Sequence, residues 1–289
     1  MKRRYAVVAG GTAVGAALLV SGCTGSGDDK GATTDNMKLT AAQALDRTSQ
    51  KTGEADTFKA DLTATGTGNG GGKIHATGQF KLRPTLVFSA QLDDFAAGGQ
   101  PVPGAKGQAI FTGDVLYAKV PQLARFVANG KPWVKVDVNK MSQTTGFDVK
   151  SLINQVQQVN PAEQTKMFTG SKDVRRVGEE SVDGTKTTHY AGTVTVQDAL
   201  NRLDPSVRQR VQAWLPQRDA ANQKISFDLW TDKSGLPRKL ESKGDHDGKT
   251  GSVTVLYSDY GKNFGVNPPP SDQVGELSLN GLLNGATHN

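Results

Sequence analysis

The segment that decides the fold is DTFKADLTATGTGNGGGKIHATGQFKL, residues 56–82. Apolar and polar side chains alternate along it on both sides of a glycine-rich turn at residues 66–72. The apolar positions are Phe58, Ala60, Leu62 and Ala64 before the turn, and Ile74, Ala76, Gly78, Phe80 and Leu82 after it. Because successive side chains of a strand point to opposite faces, this period of two predicts a hairpin with one dry face and one wet face.

The same alternation continues after the hairpin and extends the predicted sheet. Leu86, Phe88, Ala90 and Leu92 indicate a third strand, which makes an antiparallel meander. Further strands are predicted at residues 109–111, 115–120, 133–138, 174–177, 189–196, 224–231, 237–243 and 252–257. In the strand at 133–138, three valines at alternate positions face inward, so Trp133 is expected on the charged outer side.

Four helical segments interrupt these strands. Thr40 and Gln43 have the spacing of a capping box, which predicts a helix over residues 40–51. Asn160 followed by Pro161 predicts the start of a second helix that reaches Phe168. Apolar residues at helical spacing predict helices at 149–159 and at 200–215, the latter interrupted at Asp204-Pro205.

The N-terminal segment, residues 1–23, has the three parts of a secretion signal. Its sequence is MKRRYAVVAGGTAVGAALLVSGC, with three basic residues before 16 uncharged ones and small residues before a single cysteine. A spanning helix needs about 20 apolar residues, so this segment is short for one. The sequence therefore predicts export of the chain.

Val20, Ser21, Gly22 and Cys23 resemble the lipobox of bacterial lipoproteins. The resemblance implies that the signal peptidase recognises Val20 to Gly22, that cleavage follows Gly22, and that Cys23 carries diacylglycerol. Two acyl chains hold a protein firmly, whereas one holds it only marginally. We therefore expect an extracytoplasmic protein anchored by lipid to the outer leaflet of the bacterial cell membrane. The alternative is an ordinary signal peptide or anchor that happens to end in a cysteine.

Composition divides the chain into four parts. We predict a signal peptide at 1–22, a polar flexible tether at 23–37, a single domain at 38–266, and a proline-rich, loose or peripherally packed tail at 267–289. Cys23 is the only cysteine, so the domain has no internal disulfide. Of the 34 basic residues, three lie in the signal, which leaves 31 against 28 acidic residues. This mild balance does not favour nucleic-acid binding.

Sequence patterns of catalytic and metal sites give little support for an enzyme. Residues 66–71 match the letters G-x-G-x-x-G, but a dinucleotide-binding loop leads into a helix, whereas a strand pattern follows here. Asp245-His246-Asp247 lies in a short turn, where neighbouring side chains rarely converge on one ion. The predicted mature chain has no G-x-S-x-G, H-E-x-x-H or S-x-x-K signature. We therefore predict no catalytic residues, no metal and no cofactor.

Taken in order, these features resemble the LppX/LprG type of actinobacterial lipoprotein, whose fold is similar to the carrier LolA. The resemblance covers residues 39–260 and rests on the lipobox and meander together with Leu116-Tyr117-Ala118-Lys119, Lys131-Pro132-Trp133-Val134-Lys135-Val136-Asp137, Asp228-Leu229-Trp230-Thr231-Asp232 and Gly235-Leu236-Pro237-Arg238. It implies an α+β fold, a curved antiparallel β half-barrel with helices packed on the concave face and an apolar cavity between them.

The resemblance also implies a function. Proteins of this family bind acyl chains of lipids or lipoglycans and are thought to move them across the envelope, so the expected partners are the membrane, such a ligand and an envelope transporter, with the protein itself a monomer. The candidate cavity residues are Phe58, Leu62, Phe80, Leu86, Phe88, Phe111, Val134, Val136, Val156, Phe227 and Trp230.

Two alternatives stay open at the level of sequence. The same inward residues would fill an ordinary core, and the protein would then be a docking or sensor lipoprotein that binds another protein through its outer face, where Trp133 is expected to be exposed. Trp230 would equally suit a strand position packed on a neighbouring side chain, with Asp228 and Asp232 facing water.

Overall fold

The computed structural model describes residues 40–67, 71–119, 121, 130–138, 160–205, 208–209, 212, 222–246 and 249–276, and within them thirteen strands form one sheet. The strands are β1 Thr57–Gly66, β2 Gly72–Lys81, β3 Val87–Ala97, β4 Gln100–Pro101, β5 Gly107–Thr112, β6 Val115–Lys119, β7 Trp133–Asp137, β8 Arg175–Val182, β9 Thr185–Thr195, β10 Lys224–Asp232, β11 Pro237–His246, β12 Lys249–Ser258 and β13 Val274–Glu276. The predicted signal peptide and tether lie outside the described residues.

The sheet is open. Its strand order is β13-β7-β6-β5-β3-β2-β1-β12-β11-β10-β9-β8, with β4 paired to β3. All of these pairs are antiparallel except the one between β13 and β7. The predicted hairpin is confirmed, because Phe58 pairs with Phe80 and Ala64 with Ile74 across β1 and β2.

Three α-helices lie among the described residues: α1 Ala41–Gly53, α2 Pro161–Phe168 and α3 Val196–Arg202. The Thr40 capping box and the Asn160 cap are confirmed. The helical block predicted around Leu200 is confirmed: α3 begins at Val196, after its cap Thr195, and Pro205, Arg208 and Gln209 are helical again beyond the predicted break. Leu203 is extended there rather than helical, in keeping with the break predicted at Asp204-Pro205. The helix predicted at 149–159 lies outside the described residues.

The core lies between one face of the sheet and the three helices. Leu45 of α1, Phe168 of α2 and Ala199 of α3 pack in one cluster with inward residues of β1, β2, β3, β5, β6 and β9 to β12. We call this the inner face and the opposite one the outer face. The predicted α+β half-barrel with helices on its concave face is confirmed. No helix of the described residues is long and apolar enough to cross a membrane.

Trp133 lies on the outer side, opposite the inward Val136, as predicted, but it is not exposed there. It is only 7% exposed, because β13 lies beside it with Val274 in register and the Lys119 ammonium lies 5.8 Å from the ring centroid. The added strand comes from the proline-rich tail, after a 3-10 turn at Ser271–Gln273. This part of the tail is therefore peripherally packed, as an edge strand.

Candidate functional site

A row of four phenylalanines forms the floor of the inner face. Phe58, Phe80, Phe88 and Phe111 are successive cross-strand partners on β1, β2, β3 and β5, so their side chains share one face. Their ring centroids are 5.1, 6.1 and 5.7 Å apart. All four side chains are buried beneath the helices. The row therefore gives the interior an aromatic base that crosses four strands.

The inner face stays apolar along the strands beyond this row. Three further rows follow along the strands: first Ala60, Gly78, Ala90 and Ala109; then Leu62, Ala76 and Leu92; and finally Ala64, Ile74 and Phe95. The steps are two residues long except between Leu92 and Phe95, where the β2–β3 register shifts and the step is three residues. Strands rise about 3.3 Å per residue, so the six steps from Phe58 to Ala64 span roughly 20 Å. We call these four rows the apolar track.

Exposure to solvent rises along the apolar track. The phenylalanine row is buried, Leu62 and Leu92 are half-buried, and Ile74 is 38% exposed. Val102, which lies beside Phe95 and donates its backbone N–H to the Phe95 carbonyl at 2.9 Å, is 39% exposed. The apolar track thus begins under the helices and ends at an open rim.

A hollow of about 470 Å³ lies at this rim. Ala64, Ile74 and Phe95 line its apolar side, and Lys249 lies at its edge. Gly72 is needed here, because a Cβ atom on it would collide with the Ala96 carbonyl. The close backbone approach of the hairpins therefore shapes the hollow.

Two glycines make room for aromatic rings of the inner face. A Cβ atom on Gly78 would lie 2.7 Å from Cζ of Phe80, and one on Gly192 would lie 2.9 Å from Cζ of Phe227. Phe227 also stacks on Phe168 with centroids 4.3 Å apart, which fastens α2 to the sheet. The rings of Phe80 and Phe227 thus occupy the space next to a glycine, where a larger residue would place a side chain, so the inner face is closely packed there.

Most predicted cavity residues lie on the inner face. The buried cluster of this face contains five of them: Phe58, Phe80, Phe88, Phe111 and Phe227. Three more are partly buried and pack against that cluster: Leu62, Leu86 and Val136. Val134 is buried and pairs in register with Ala118. Val156 lies outside the described residues. Burial raises the pKa of the nearby Tyr257 hydroxyl, so this side chain remains neutral in the interior.

Trp230 does not lie on the inner face with the other predicted cavity residues. Phe227 and Leu229 of β10 face inward, so the alternation turns Trp230 to the outer face, where it is 6% exposed. Its ring stacks on His189 with centroids 4.2 Å apart, and the Lys239 ammonium lies 4.4 Å from its centroid. The interpretation as a strand tryptophan packed on a neighbour is therefore the correct one.

Hydrogen bonds tie this outer-face cluster together. His189 lies between two carboxylates, with Nδ1 2.9 Å from Glu180 and Nε2 2.7 Å from Asp228. Trp230 Nε1 donates to Glu180 at 2.9 Å, and this bond, with that from His189, lowers the pKa of Glu180. Of the two acids expected to face water, Asp228 is 40% exposed, whereas Asp232 is only 7% exposed and accepts from Arg238 Nε at 2.8 Å. The pairs join three strands, so sequence spacing could not reveal them.

The comparisons with known proteins give two similar Streptomyces proteins and no matching family model. An uncharacterised 31.2 kDa protein of Streptomyces griseus is 29% identical over 187 residues, 62% of this chain, and the chain spans only 61% of that protein. A suspected lipoprotein of Streptomyces coelicolor is 26% identical over 289 residues, 92% of each chain.

Similar solved structures include mycobacterial proteins. LprF from Mycobacterium bovis has a TM-score of 0.49 at 15% identity, over 80% of this chain and 97% of LprF. Lipoprotein LppX from Mycobacterium tuberculosis has a TM-score of 0.45 at 15% identity, over 78% of this chain and 98% of LppX. The chain is thus similar to a Streptomyces coelicolor protein described as a suspected lipoprotein and to the mycobacterial proteins LprF and LppX, which are of the kind that the predicted resemblance named.

Proposed function

We propose that this protein is a lipoprotein, anchored through Cys23 to the outer leaflet of the cell membrane, that binds an acyl chain along the apolar track and carries lipid within the envelope. Its ligand is a lipid or lipoglycan with at least one acyl chain. The protein acts as a monomer and not as an enzyme, and an envelope transporter is a suitable partner for loading or unloading.

One observation carries the proposal: the apolar track runs for roughly 20 Å from a buried floor to an exposed rim. The acyl layer of one leaflet is about 15 Å thick, half of a hydrocarbon core of about 30 Å. The apolar track is therefore long enough for one extended chain. A closed core has no need of an apolar row that ends in solvent at Ile74 and Val102.

Transfer along the apolar track needs no chemical step. An acyl chain that leaves the bilayer loses about 0.8 kcal/mol for each CH2 that becomes hydrated, and it regains a similar amount in an apolar site. The two environments nearly balance, so the exchange is reversible. The head group would remain at the rim, because the floor offers aromatic rings and neutral side chains.

Neighbouring residues of β3 provide a matched test. Leu92 faces inward in the apolar track, whereas Gln91 is exposed on the outer face. Residues 24–289 would be titrated with a fluorescent fatty acid, and lipid that copurifies would be extracted and identified by mass spectrometry. We expect Leu92→Lys to weaken fatty-acid binding at least tenfold and Gln91→Lys to leave it unchanged. Equal affinities in the two variants, or no binding by the parent chain, would refute the proposal.

The docking alternative invoked an exposed Trp133 and the mixed-charge outer face. Trp133 is only 7% exposed, so it offers little contact area to another protein, and only the charged face still favours this alternative.

A further inference from the structure

Three hairpins place their tips at the same end of the sheet. In register, Gly66 pairs with Gly251, Gly72 with Ala97, and Ala96 with Pro101, so the β1–β2, β3–β4 and β11–β12 connections are neighbours. We call residues 64–67, 71–74, 94–107, 243–246 and 249–253 the hairpin-tip end. It contains the exposed rim of the apolar track.

The exposed apolar side chains at this end form a row. Ile74 pairs with Phe95 across β2 and β3, and Val102 follows next to Phe95. Of the three exposed large hydrophobic residues in the described part of the chain, Ile74 and Val102 lie here. The third, Val177, lies far away in the sheet order, on the edge strand β8. An exposed apolar row of this kind is typical of an interaction site.

The charge at the hairpin-tip end is basic. Its described residues contain four lysines and two aspartates: Lys73, Lys106, Lys243, Lys249, Asp94 and Asp245. Lys73 forms an ion pair with Asp94 at 3.2 Å, whereas the other three lysines form no ion pair within the described residues. The opposite end, residues 54–57, 81–87, 112–115, 179–187, 231–238 and 258–262, contains eight acidic and six basic residues. The two ends therefore differ in the sign of their net charge.

We propose that the hairpin-tip end lies on an anionic phospholipid surface, with Ile74 and Val102 entering the interfacial layer and Lys106 and Lys249 near the head groups. The charge favours this occupant, since an anionic surface attracts lysines while a second copy of the same end would repel them. This inference rests on the proposed function, because it orients the apolar track so that its open rim faces the leaflet. A bound acyl chain then passes between leaflet and protein without crossing water.

Vesicle sedimentation tests the proposal without the lipid anchor. Residues 24–289 keep the whole compact unit that begins at Leu39, and they would be mixed with vesicles of phosphatidylglycerol and phosphatidylcholine, or of phosphatidylcholine alone. We expect binding to the anionic vesicles only, and weaker binding at high salt because the screening length falls from about 10 Å at 0.1 M to about 3 Å at 1 M. Lys249→Gln should weaken binding about fivefold, whereas Lys233→Gln at the opposite end should not.

The apolar part has its own matched control. The double variant Ile74→Ser and Val102→Ser should lose most vesicle binding, while Val177→Ser, also at an exposed valine, should keep it. Thermal melts would show that each variant is folded. The proposal would be overturned if the double variant and Val177→Ser lost vesicle binding equally, or if the parent chain bound both vesicle types equally. It would also be overturned if sedimentation velocity showed concentration-dependent dimers that the double variant abolishes.

A second measurement separates this inference from the proposed function. The parent chain, residues 24–289, would also be titrated with a fluorescent fatty acid in solution. If the parent chain binds the fatty acid normally but does not bind vesicles, the membrane orientation is refuted and the proposed function still stands. Loss of fatty-acid binding in the parent chain refutes both.

Discussion

Gly78→Ala tests whether the phenylalanine floor is closely packed. The new Cβ atom would lie 2.7 Å from Cζ and 2.8 Å from Cε2 of Phe80, and 3.3 Å from the Ser89 carbonyl oxygen. The Phe80 ring cannot easily withdraw, because it lies between Phe58 at 5.1 Å and Phe88 at 6.1 Å. Overpacking of this kind costs about 1–3 kcal/mol, against a gain of about 0.4–1 kcal/mol from the less flexible unfolded chain.

The net effect on the free energy of unfolding is a loss of about 1–2 kcal/mol. A domain of this size loses about 2–4 °C in Tm for each kcal/mol, so thermal unfolding followed by circular dichroism should show a decrease of roughly 2–8 °C. Gly251→Ala is the matched control, since nothing lies within 4 Å of its added Cβ atom. Its Tm should stay the same or rise slightly.

A double variant identifies the cause. Phe80→Leu removes the ring that the added Cβ atom at position 78 would meet, so the combined variant should be more stable than the sum of the two single effects predicts. Strict additivity, or a Gly78→Ala Tm equal to that of Gly251→Ala, would show that the ring does not occupy the space above Gly78.

Two further predictions concern groups outside the apolar track. Trp230→Phe removes the hydrogen bond to Glu180 on the outer face and should therefore lower the Tm. The affinity for the fluorescent fatty acid should stay unchanged. A loss of fatty-acid affinity in this variant would show that Trp230 belongs to the binding site. Lys262 and Lys59 lower the pKa of Asp259 from 3.8 to about 2. The ionised Asp259 carboxylate therefore contributes to the free energy of unfolding above about pH 4, and this contribution is lost as the pH falls to about 2. Acid unfolding of Asp259→Asn should lack this part of the pH dependence.

Local patterns in the sequence predict much of the fold. The alternation at residues 56–82 is enough for β1 and β2, because the rule that sets it acts between neighbouring residues. The helix α2 is equally predictable, since Asn160 accepts from the Ala162 N–H at 3.0 Å and Pro161 occupies the first helical position. The inward phenylalanines follow from the same alternation.

Contacts between distant strands account for what the sequence did not predict. Trp133 pairs with Val274, 141 positions later, and no local sequence pattern predicts this pairing. His189 meets Asp228 across β9 and β10, so the spacing of acids around it gives no signal. The rim of the apolar track also depends on register, because Ile74 and Phe95 become neighbours only when β2 pairs with β3.

The bulge in β8 has a consequence for crowding on a membrane. This strand ends the sheet, and its register shifts between Arg176 and Gly178, where Val177 is extruded. Lipid-anchored molecules share a thin layer, in which their local concentration is high. A flat, unpaired edge would there recruit the edges of neighbouring copies into a continuous ribbon, whereas a bulge flanked by Arg175, Arg176 and Glu179 disfavours such pairing. In the proposed lipid-anchored state, the irregular strand would thus disfavour edge-to-edge association of copies.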